Sequence, residues 1–485
     1  MNATPPPGPR RSYWLLAVLA VLLVVPAGLA NGVLLAAVLG TGTLSIVGAL
    51  VARRAGATSG HSQSSAVLLG SDAAGSEVLL GDRELSAHGL ILGASGAGKT
   101  TTLLTILTEQ IRRGGPVVAI DMKGSPAFAE ELARAAGGAG RRFRCWTMDG
   151  AERWNPLAHG NATELKDKLI ATERFTEPHY QRAAERYVQT VLNVLGEVHP
   201  DRPPTLEEVV GLMDPGRLGG VLRGLPKPSA ERVQDYLAGL TPDQLSAVRG
   251  LGTRLAIVSE SHTGRYLTPG DEPGVDLRAA LSGDEVVLFS LNSSTYGKLA
   301  AQIGTLVVQD LVTAAGHRLA AAESTRATIG IDEFSALGAE NVISLLARGR
   351  ESGLCVLLAT QELADLDRTA PGLRDQVLGN TAIKIAHRQD VPASAQTIAQ
   401  IAGTERTWEQ TYQIGRGPLG RFDTSRGTQR QVEQFIVHPN EIKALPTGHA
   451  VLITKQPVAR ARTIRVAPPA GRVAPPARRD PPALG

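Results

Sequence analysis

One octapeptide limits the possible folds of this chain more than any other feature. Gly93-Ala-Ser-Gly-Ala-Gly-Lys99-Thr100 fits the pattern G-x-x-x-x-G-K-[ST]. The apolar run Leu90–Leu92 before it predicts a strand, and the periodic stretch Thr101–Arg112 after it predicts a helix. A strand, a glycine-rich turn and a helix in this order predict a P-loop, whose backbone N–H groups and helix N-terminus surround phosphates. The motif therefore predicts an α/β protein that binds ATP.

The side chains of this loop have separate expected roles. Lys99 should reach the β- and γ-phosphate oxygens, and Thr100 should hold Mg²⁺. The residues expected to contact the nucleotide are Gly93, Ser95, Gly96, Ala97, Gly98, Lys99, Thr100 and Thr101.

A P-loop requires a second, acidic site that fixes the metal and prepares the attacking water. The segment Thr328-Ile-Gly-Ile-Asp332-Glu333-Phe334 supplies two carboxylates at the end of an apolar strand. Asp332 is predicted to bind Mg²⁺, and Glu333 is predicted to orient and deprotonate the water. The competing interpretation is that the two carboxylates only cap the next helix.

The strand Leu354–Ala359 follows, with Thr360 and Gln361 at its tip. Gln361 is predicted to sense the γ-phosphate, in the way that water-positioning amides do. Arg348 and Arg350 precede the same strand, where a ring of subunits would bring one of them into a neighbour's site as an arginine finger. We favour Arg350. Two solvated arginines at a helix end are the alternative.

Periodicity divides the chain into segments. Strand and helix patterns alternate in 66–160 and again in 276–456, which predicts one parallel α/β domain. Residues 161–275 show helical periodicity and almost no strand signal, so an all-α domain is expected to interrupt it. The Gly/Ser/His stretch 55–65 is expected to be a linker. The Pro/Ala/Arg stretch 457–485 is expected to be disordered.

The N-terminal 54 residues predict a transmembrane hairpin. Residues 13–30 and 32–52 are nearly uncharged apolar runs of bilayer-spanning length, joined at Asn31. Arg10 and Arg11 before the hairpin and Arg53 and Arg54 after it predict that both ends lie in the cytoplasm. The ATP-binding body would then be cytoplasmic. A secretory signal is the alternative, because small residues end the first run.

Composition adds little to these motifs. A formal net charge of +4 permits a nucleic-acid partner without identifying one. Cys145 and Cys355 are the only cysteines, so neither a disulfide framework nor a zinc site is predicted.

The chain resembles the coupling proteins of type IV secretion, the TraG/TraD conjugative DNA transfer family. Beyond the two nucleotide motifs, the resemblance depends on four segments in matching order: Asp121-Met-Lys123-Gly124, Asn155-Pro-Leu157, Ile331-Asp-Glu-Phe-Ser-Ala-Leu-Gly338, and Ala359-Thr-Gln361 after a Gly-Arg-x-x-Gly stretch. The resemblance implies a RecA-like P-loop NTPase motor domain with an inserted all-α domain behind the membrane hairpin. It spans most of the chain, although the periplasmic loop is much shorter than in many relatives.

The resemblance also implies partners and site residues. A ring, expected to be a homo-hexamer, would receive relaxase-bound single-stranded DNA and use ATP and Mg²⁺ to drive it towards secretion channel proteins. By position, Arg350 matches the trans-acting arginine of the family and Gln361 matches its sensor glutamine.

Two other functions fit the same motifs. A double-stranded DNA pump of the FtsK/HerA kind has the same motor chemistry, although no C-terminal winged helix is evident after Thr454. A membrane ATPase that moves protein substrates would turn over ATP at a rate indifferent to DNA. A pseudo-ATPase scaffold is disfavoured because Lys99, Asp332 and Glu333 are all present.

Overall fold

The computed structural model describes residues 66–470, apart from positions 174, 324, 338, 418 and 419. The predicted membrane hairpin (1–54), the linker (55–65) and residues 471–485 of the predicted tail lie outside the described residues.

An eleven-stranded mixed sheet is the centre of the fold, in the order β2-β1-β13-β12-β9-β3-β8-β7-β4-β6-β5. Its strands are β1 (Ala66–Asp72), β2 (Glu77–Gly81), β3 (Gly89–Leu92), β4 (Val117–Asp121), β5 (Phe143–Thr147), β6 (Val286–Ser290), β7 (Ala327–Asp332), β8 (Leu354–Thr360), β9 (Ile383–Ala386), β12 (His449–Thr454) and β13 (Arg460–Val466). The run from β9 to β5 is parallel, and β12, β13, β1 and β2 add antiparallel pairs at one side. The α/β fold expected from the alternating pattern is confirmed, but the sheet is mixed and not parallel throughout.

Burial on both faces explains why the central strands are continuous apolar runs. In β4, Val117 and Ala119 belong to one hydrophobic cluster, whereas Val118 and Ile120 belong to the cluster on the opposite face. Successive strand residues point to opposite faces, so two helical layers enclose the sheet. Helices α2 (Lys99–Arg112) and α3 (Pro126–Gly138) supply buried residues to the first cluster.

Between Thr147 and Val286 the described residues form helices and no strand. The helices are α4 (Ala162–Ile170), α5 (Pro178–Val198), α6 (Leu206–Gly211), α7 (Pro215–Val221), α8 (Lys227–Ala238), α9 (Pro242–Ser259) and α10 (Leu277–Ser282). A short helix, α1 (Asp82–Leu85), lies earlier in the chain, between β2 and β3. Capping boxes begin α4 at Asn161 and α9 at Thr241. These helices and the sheet lie in one compact unit, and the limits of a separate all-α domain stay a prediction.

The remaining helices lie in the second half of the chain. They are α11 (Ser293–Ala320), α12 (Ala339–Gly349), α13 (Leu363–Thr369), α14 (Leu373–Asn380), α15 (Pro392–Ala402) and α16 (Pro439–Ala444). Among the described residues, α11 alone is long and apolar enough to cross a membrane, but 67% of its apolar window is buried in the protein. Its buried face, from Ala300 to Ala315, belongs to the main hydrophobic cluster, as expected of a core helix.

A two-stranded antiparallel arm was not predicted from the sequence. Strands β10 (Thr404–Gly417) and β11 (Gly420–Phe435) pair only with each other. The arm leaves the body between Gly403 and Ile436, where the Ile436 N–H donates to the Gly403 carbonyl at 3.1 Å. Trp408, on β10, is 65% exposed.

The prediction of disorder from residue 457 onward is wrong for its first part. Residues 460–466 form β13, which lies between β12 and β1 inside the sheet. Ile464 and Val466 are buried there, while Arg460 and Arg465 remain exposed. The alternation of polar and apolar residues from Thr463 to Val466 was the available signal, and the surrounding Pro/Ala/Arg composition obscured it.

Candidate active site

The P-loop connects β3 to α2 as predicted. β3 ends at Leu92 and α2 begins at Lys99. Gly96 and Gly98 have φ of +73° and +122°, which side chains with a Cβ rarely adopt, so the glycines allow the loop to turn back on itself. Ser95 and Gly96 are exposed at the mouth of the loop, whereas Ala97 is buried beneath it.

Contacts from the end of β9 hold the loop from below. A Cβ on Gly93 would lie 2.6 Å from the Cβ of His387, so only glycine fits there. The Ala94 N–H donates to the Arg388 carbonyl at 2.9 Å, and the Gly448 N–H donates to the Ala97 carbonyl at 3.0 Å. The loop shape is thus fixed by the protein alone.

His387 was not identified from the sequence. Its Nδ1 lies 2.9 Å from the His449 carbonyl oxygen and its Nε2 lies 2.8 Å from Thr102 Oγ1. Because a carbonyl only accepts, Nδ1 carries the proton, and Nε2 accepts from the Thr102 hydroxyl in the neutral ring. Burial lowers the pKa of His387 to about 4, against the hydrogen bond to His449, and the charge of Lys99 lowers it further. This neutral ring braces the first turn of α2.

Lys99 turns back onto its own loop. Its Nζ donates to the carbonyls of Gly93 at 2.6 Å and Ala94 at 3.2 Å. Burial lowers the pKa of Lys99, the charge of Lys123 lowers it further, and nearby carboxylates, Glu333 first among them, partly offset this. These two carbonyl contacts use two of the three hydrogen-bond donors of the ammonium group.

Thr100 and Asp332 meet as the metal-site prediction requires. Asp332 ends β7 and is fully buried, and the Thr100 hydroxyl donates to its Oδ2 at 2.8 Å. A hydroxyl and a carboxylate side by side are hard oxygen donors suited to Mg²⁺, which keeps water and phosphate oxygens as its other ligands. No group of three His, Cys, Asp or Glu side chains in the described part of the chain forms a fuller metal cage.

Glu333 and Gln361 also meet. Glu333 has a left-handed backbone with φ of +55°, which is uncommon for a residue other than glycine and is found at functional sites. β8 lies between β3 and β7 in the sheet, so its tip falls between the P-loop and the carboxylates. The Gln361 amide Nε2 donates to Glu333 Oε1 at 3.0 Å.

Lys123 completes this cluster, although no role beyond its place in the Asp-Met-Lys-Gly motif was predicted for it. Its Nζ lies 2.7 Å from Glu333 Oε1 and 3.8 Å from Asp332 Oδ2. Burial by itself would raise the pKa of Glu333, but the hydrogen bonds from Lys123 and Gln361 and the charges of Lys123 and Lys99 outweigh it, so the pKa is lowered.

The arginines lie elsewhere. Arg348 and Arg350 are exposed at the C-terminal end of α12, and Arg350 lines a cavity of about 340 Å³ with Thr328 and Cys355. Thr328 and Cys355 are the second residues of β7 and β8, whereas Asp332, Glu333 and Gln361 lie at the opposite ends of these strands. A seven-residue strand is about 20 Å long, so Arg350 is separated from the P-loop of its own subunit by that length.

The fold and the site together define a RecA-like P-loop ATPase. Three neighbouring strands, β3, β8 and β7, end at the same edge of the sheet. β3 leads into the P-loop, β8 is followed by the amide of Gln361, and the carboxylates of Asp332 and Glu333 lie at the end of β7. There the Thr100 hydroxyl donates to the Asp332 carboxylate.

Comparisons with known proteins narrow this class. Residues 326–447 match the family model described as the TraM recognition site of TraD and TraG, and residues 68–132 match that of the central domain of helicase HerA. The predicted resemblance to the TraG/TraD family is thereby confirmed. A comparison with curated protein sequences found no match.

Solved structures share the fold. The bacterial conjugative coupling protein TrwBΔN70 in its unbound form matches with a TM-score of 0.61 at 15% identity, covering 84% of this chain and 89% of that one. TrwB in complex with ADP and Mg²⁺ matches with a TM-score of 0.58 at 15% identity, covering 81% and 88%. VirB4 of Thermoanaerobacter pseudethanolicus matches with a TM-score of 0.55 at 15% identity, covering 84% and 98%.

Proposed function

We propose that this chain is an ATP-dependent DNA translocase, anchored in the bacterial inner membrane, that acts as the coupling protein of a conjugative type IV secretion system. It would use ATP and Mg²⁺ to pass relaxase-bound single-stranded DNA to the secretion channel. The observation that carries the proposal is the convergence of Thr100, Asp332, Glu333 and Gln361 on one sheet edge, in a chain whose residues 326–447 match the family model of the TraM recognition site of TraD and TraG.

Each side chain has a distinct proposed role. Backbone N–H groups of 93–101 and the Lys99 ammonium bind the phosphates, and Thr100 and Asp332 would hold Mg²⁺, which neutralises charge on the phosphates. Glu333 accepts a proton from the attacking water, and Gln361 orients that water.

Two substitutions separate binding from turnover. Lys99→Ala should abolish hydrolysis because it removes phosphate contacts, whereas Glu333→Gln should keep ATP binding and stop turnover because it removes only the base. Binding of a fluorescent ATP analogue and release of phosphate would be measured for each purified full-length variant. Unchanged hydrolysis by the Glu333→Gln variant would remove Glu333 from its role.

The DNA substrate is tested by the ATPase rate of the full-length protein in detergent, with single-stranded DNA, double-stranded DNA or none. We expect single-stranded DNA to raise the rate most. The match of residues 68–132 to HerA favours a second candidate, a double-stranded DNA pump, which greater stimulation by duplex DNA would support. A rate indifferent to both would favour a motor that moves protein substrates.

Arg350 is proposed to complete the site of a neighbouring subunit in a homo-hexameric ring. Its exposure and its separation by a strand length from its own P-loop support action in trans. Arg350→Ala should lose hydrolysis, and mixing it with Lys99→Ala subunits should restore up to about a quarter of the wild-type rate, since about one interface in four then pairs an intact loop with an intact arginine. Arg348→Ala is the matched control. Absence of rescue would favour the solvated-arginine interpretation.

The membrane anchor remains a proposal because 13–30 and 32–52 lie outside the described residues. Carbonate extraction of bacterial membranes should leave the full chain in the pellet, and protease added outside the cytoplasm should not reach the ATPase body. Release of the chain by carbonate would contradict the hairpin.

A further inference from the structure

Lys123 occupies a position that the proposed mechanism does not use. It follows β4, whose last residue, Asp121, is paired in register with Asp332 of β7. This register brings the lysine beside the catalytic carboxylates, 2.7 Å from Glu333 Oε1. The Lys123 side chain is 40% exposed, so its ion pair with Glu333 lies at the open mouth of the site and not in the core.

The turn that carries Lys123 is held without its side chain. The Asp121 carboxylate accepts the N–H of Lys123 at 2.9 Å and the N–H of Ser125 at 2.6 Å. Gly124 has φ of +68°, and a Cβ there would lie 2.6 Å from the Cβ of Asn292. The backbone is therefore a fixed base from which a long lysine side chain can change partners.

The observed pair conflicts with the role of Glu333. A carboxylate oxygen that accepts from both Lys123 Nζ and Gln361 Nε2 has less capacity to accept a proton from water. Both donors lie on Oε1, so an attacking water could hydrogen-bond to that oxygen more readily once one of them leaves, and the charged donor holds it more strongly.

Both lysines of the site have protein partners where phosphate would supply better ones. Lys99 donates to two P-loop carbonyls, and Lys123 pairs with Glu333. Phosphate oxygens entering between the lysines and the carboxylates would attract both ammonium groups, and their negative charge would repel Glu333.

We propose that Lys123 is a second phosphate-binding lysine, which pairs with Glu333 in the nucleotide-free site and moves to the terminal phosphate of bound ATP, thereby freeing Glu333 for the water. The exchange makes and breaks no covalent bond. ADP has no γ-phosphate, so after release of the product phosphate the lysine returns to Glu333. The inference rests on the proposed ATPase function and adds discrimination between ATP and ADP to it.

The test is equilibrium binding of ATPγS and of ADP to the full-length protein, with Mg²⁺, for the wild type, Lys123→Met and Lys123→Arg. Met keeps the aliphatic stem and removes the charge. We expect Lys123→Met to weaken ATPγS binding about 10-fold and to change ADP binding less than about 2-fold, because one charge-assisted hydrogen bond to the γ-phosphate is lost. Lys123→Arg should retain most of the preference for ATPγS.

Lys227→Met is the matched control, since Lys227 is 89% exposed on α8 and distant in sequence from every site residue. Equal weakening of ATPγS and ADP, or no change in their ratio, would overturn the assignment of Lys123 to phosphate. ATP hydrolysis by the wild type is measured on the same preparations. An inactive wild type would contradict the proposed function, whereas an active wild type with either of these binding results would contradict only the assignment of Lys123.

Discussion

Two buried histidines hold the two ends of the P-loop strand. His88 directly precedes β3, donating from Nε2 to the Leu346 carbonyl at 2.9 Å and accepting the Val356 N–H at Nδ1 at 3.0 Å. His387 holds the other end beneath the loop, through Thr102 and the His449 carbonyl. The hydrogen bonds of His88 require a neutral ring, because its Nδ1 accepts a backbone N–H, and burial favours the neutral ring of His387 as well. Residues outside the nucleotide motif therefore determine where the motif lies.

These rings make stability depend on pH. Burial lowers the pKa of His88 to about 4, and the charge of Arg350 adds a smaller lowering, while the hydrogen bond to the Leu346 carbonyl acts in the opposite direction. The pKa of His387 is likewise lowered to about 4. In the unfolded chain these rings take up protons near pH 6.5, whereas in the folded protein they stay neutral down to about pH 4. The free energy of unfolding is therefore highest above pH 6.5 and falls as the pH approaches 4, by about 3 kcal/mol for each ring.

We therefore expect the thermal midpoint of the wild type to fall between pH 6.5 and 4 more steeply than that of the variant with His88→Gln and His387→Gln. Midpoints would be measured at half-unit steps. The exposed His199→Gln is the control and should follow the wild type. Parallel curves for the wild type and the double variant would contradict the assignment.

At the scale of elements, the polar segment β13 is an internal strand of the sheet, between β12 and β1. It pairs with β12 from Arg460, opposite Thr454, to Arg465, opposite His449. It also pairs with β1 through residues 464–466. Beyond it, the Ala467 N–H donates to the Leu69 carbonyl, and Thr105 of α2 donates to the Ala467 carbonyl at 2.7 Å. The segment thus joins the edge hairpin to the helix that begins at the P-loop.

A chain ending at Gln456 should unfold at a lower temperature than the full chain, because two strands lose their hydrogen-bonding neighbour and Ile464 leaves the core. A chain ending at Ala470 should match the full chain. Melting temperatures and the soluble fraction after expression would be compared for the three lengths. Equal stability of the two truncated chains would show that β13 contributes little.

At the scale of the molecule, a buried polar network joins α4 of the helical segment to the core helix α11. Lys168 of α4, 1% exposed, pairs with Asp310 of α11 at 2.8 Å, and Trp154 Nε1 donates to the same carboxylate at 3.2 Å. Lys168 also donates to the carbonyl of Pro156, within the Asn-Pro-Leu segment, while Asn155 donates to the Pro204 carbonyl. The Asn-Pro-Leu motif is accordingly a structural junction.

Breaking this network from one side should destabilise the protein. Lys168→Met leaves the Asp310 charge buried without its partner, which costs about 3 kcal/mol or more. Adding Asp310→Leu should recover part of the loss, because no unpaired charge then remains. Chemical denaturation of each variant measures both effects, and Lys227→Met, at an 89% exposed lysine of α8, is the control. A double variant less stable than Lys168→Met would contradict the argument.

The local signals were sufficient where chemistry and conformation are encoded by adjacent residues. The P-loop, the strand ending in Asp332 and Glu333, and the strand before Gln361 were all predicted, because glycine spacing and apolar runs act over fewer than ten residues. The arm of β10 and β11 was not, since its Gln, Thr, Arg and Gly residues lack the apolar alternation of a half-buried strand. Only the order of strands in the sheet brings Lys123 to Glu333 and His387 under Gly93. Such contacts join residues far apart in the chain, and their geometry is decided by which strands pair, a property of the whole packed sheet and not of any single segment.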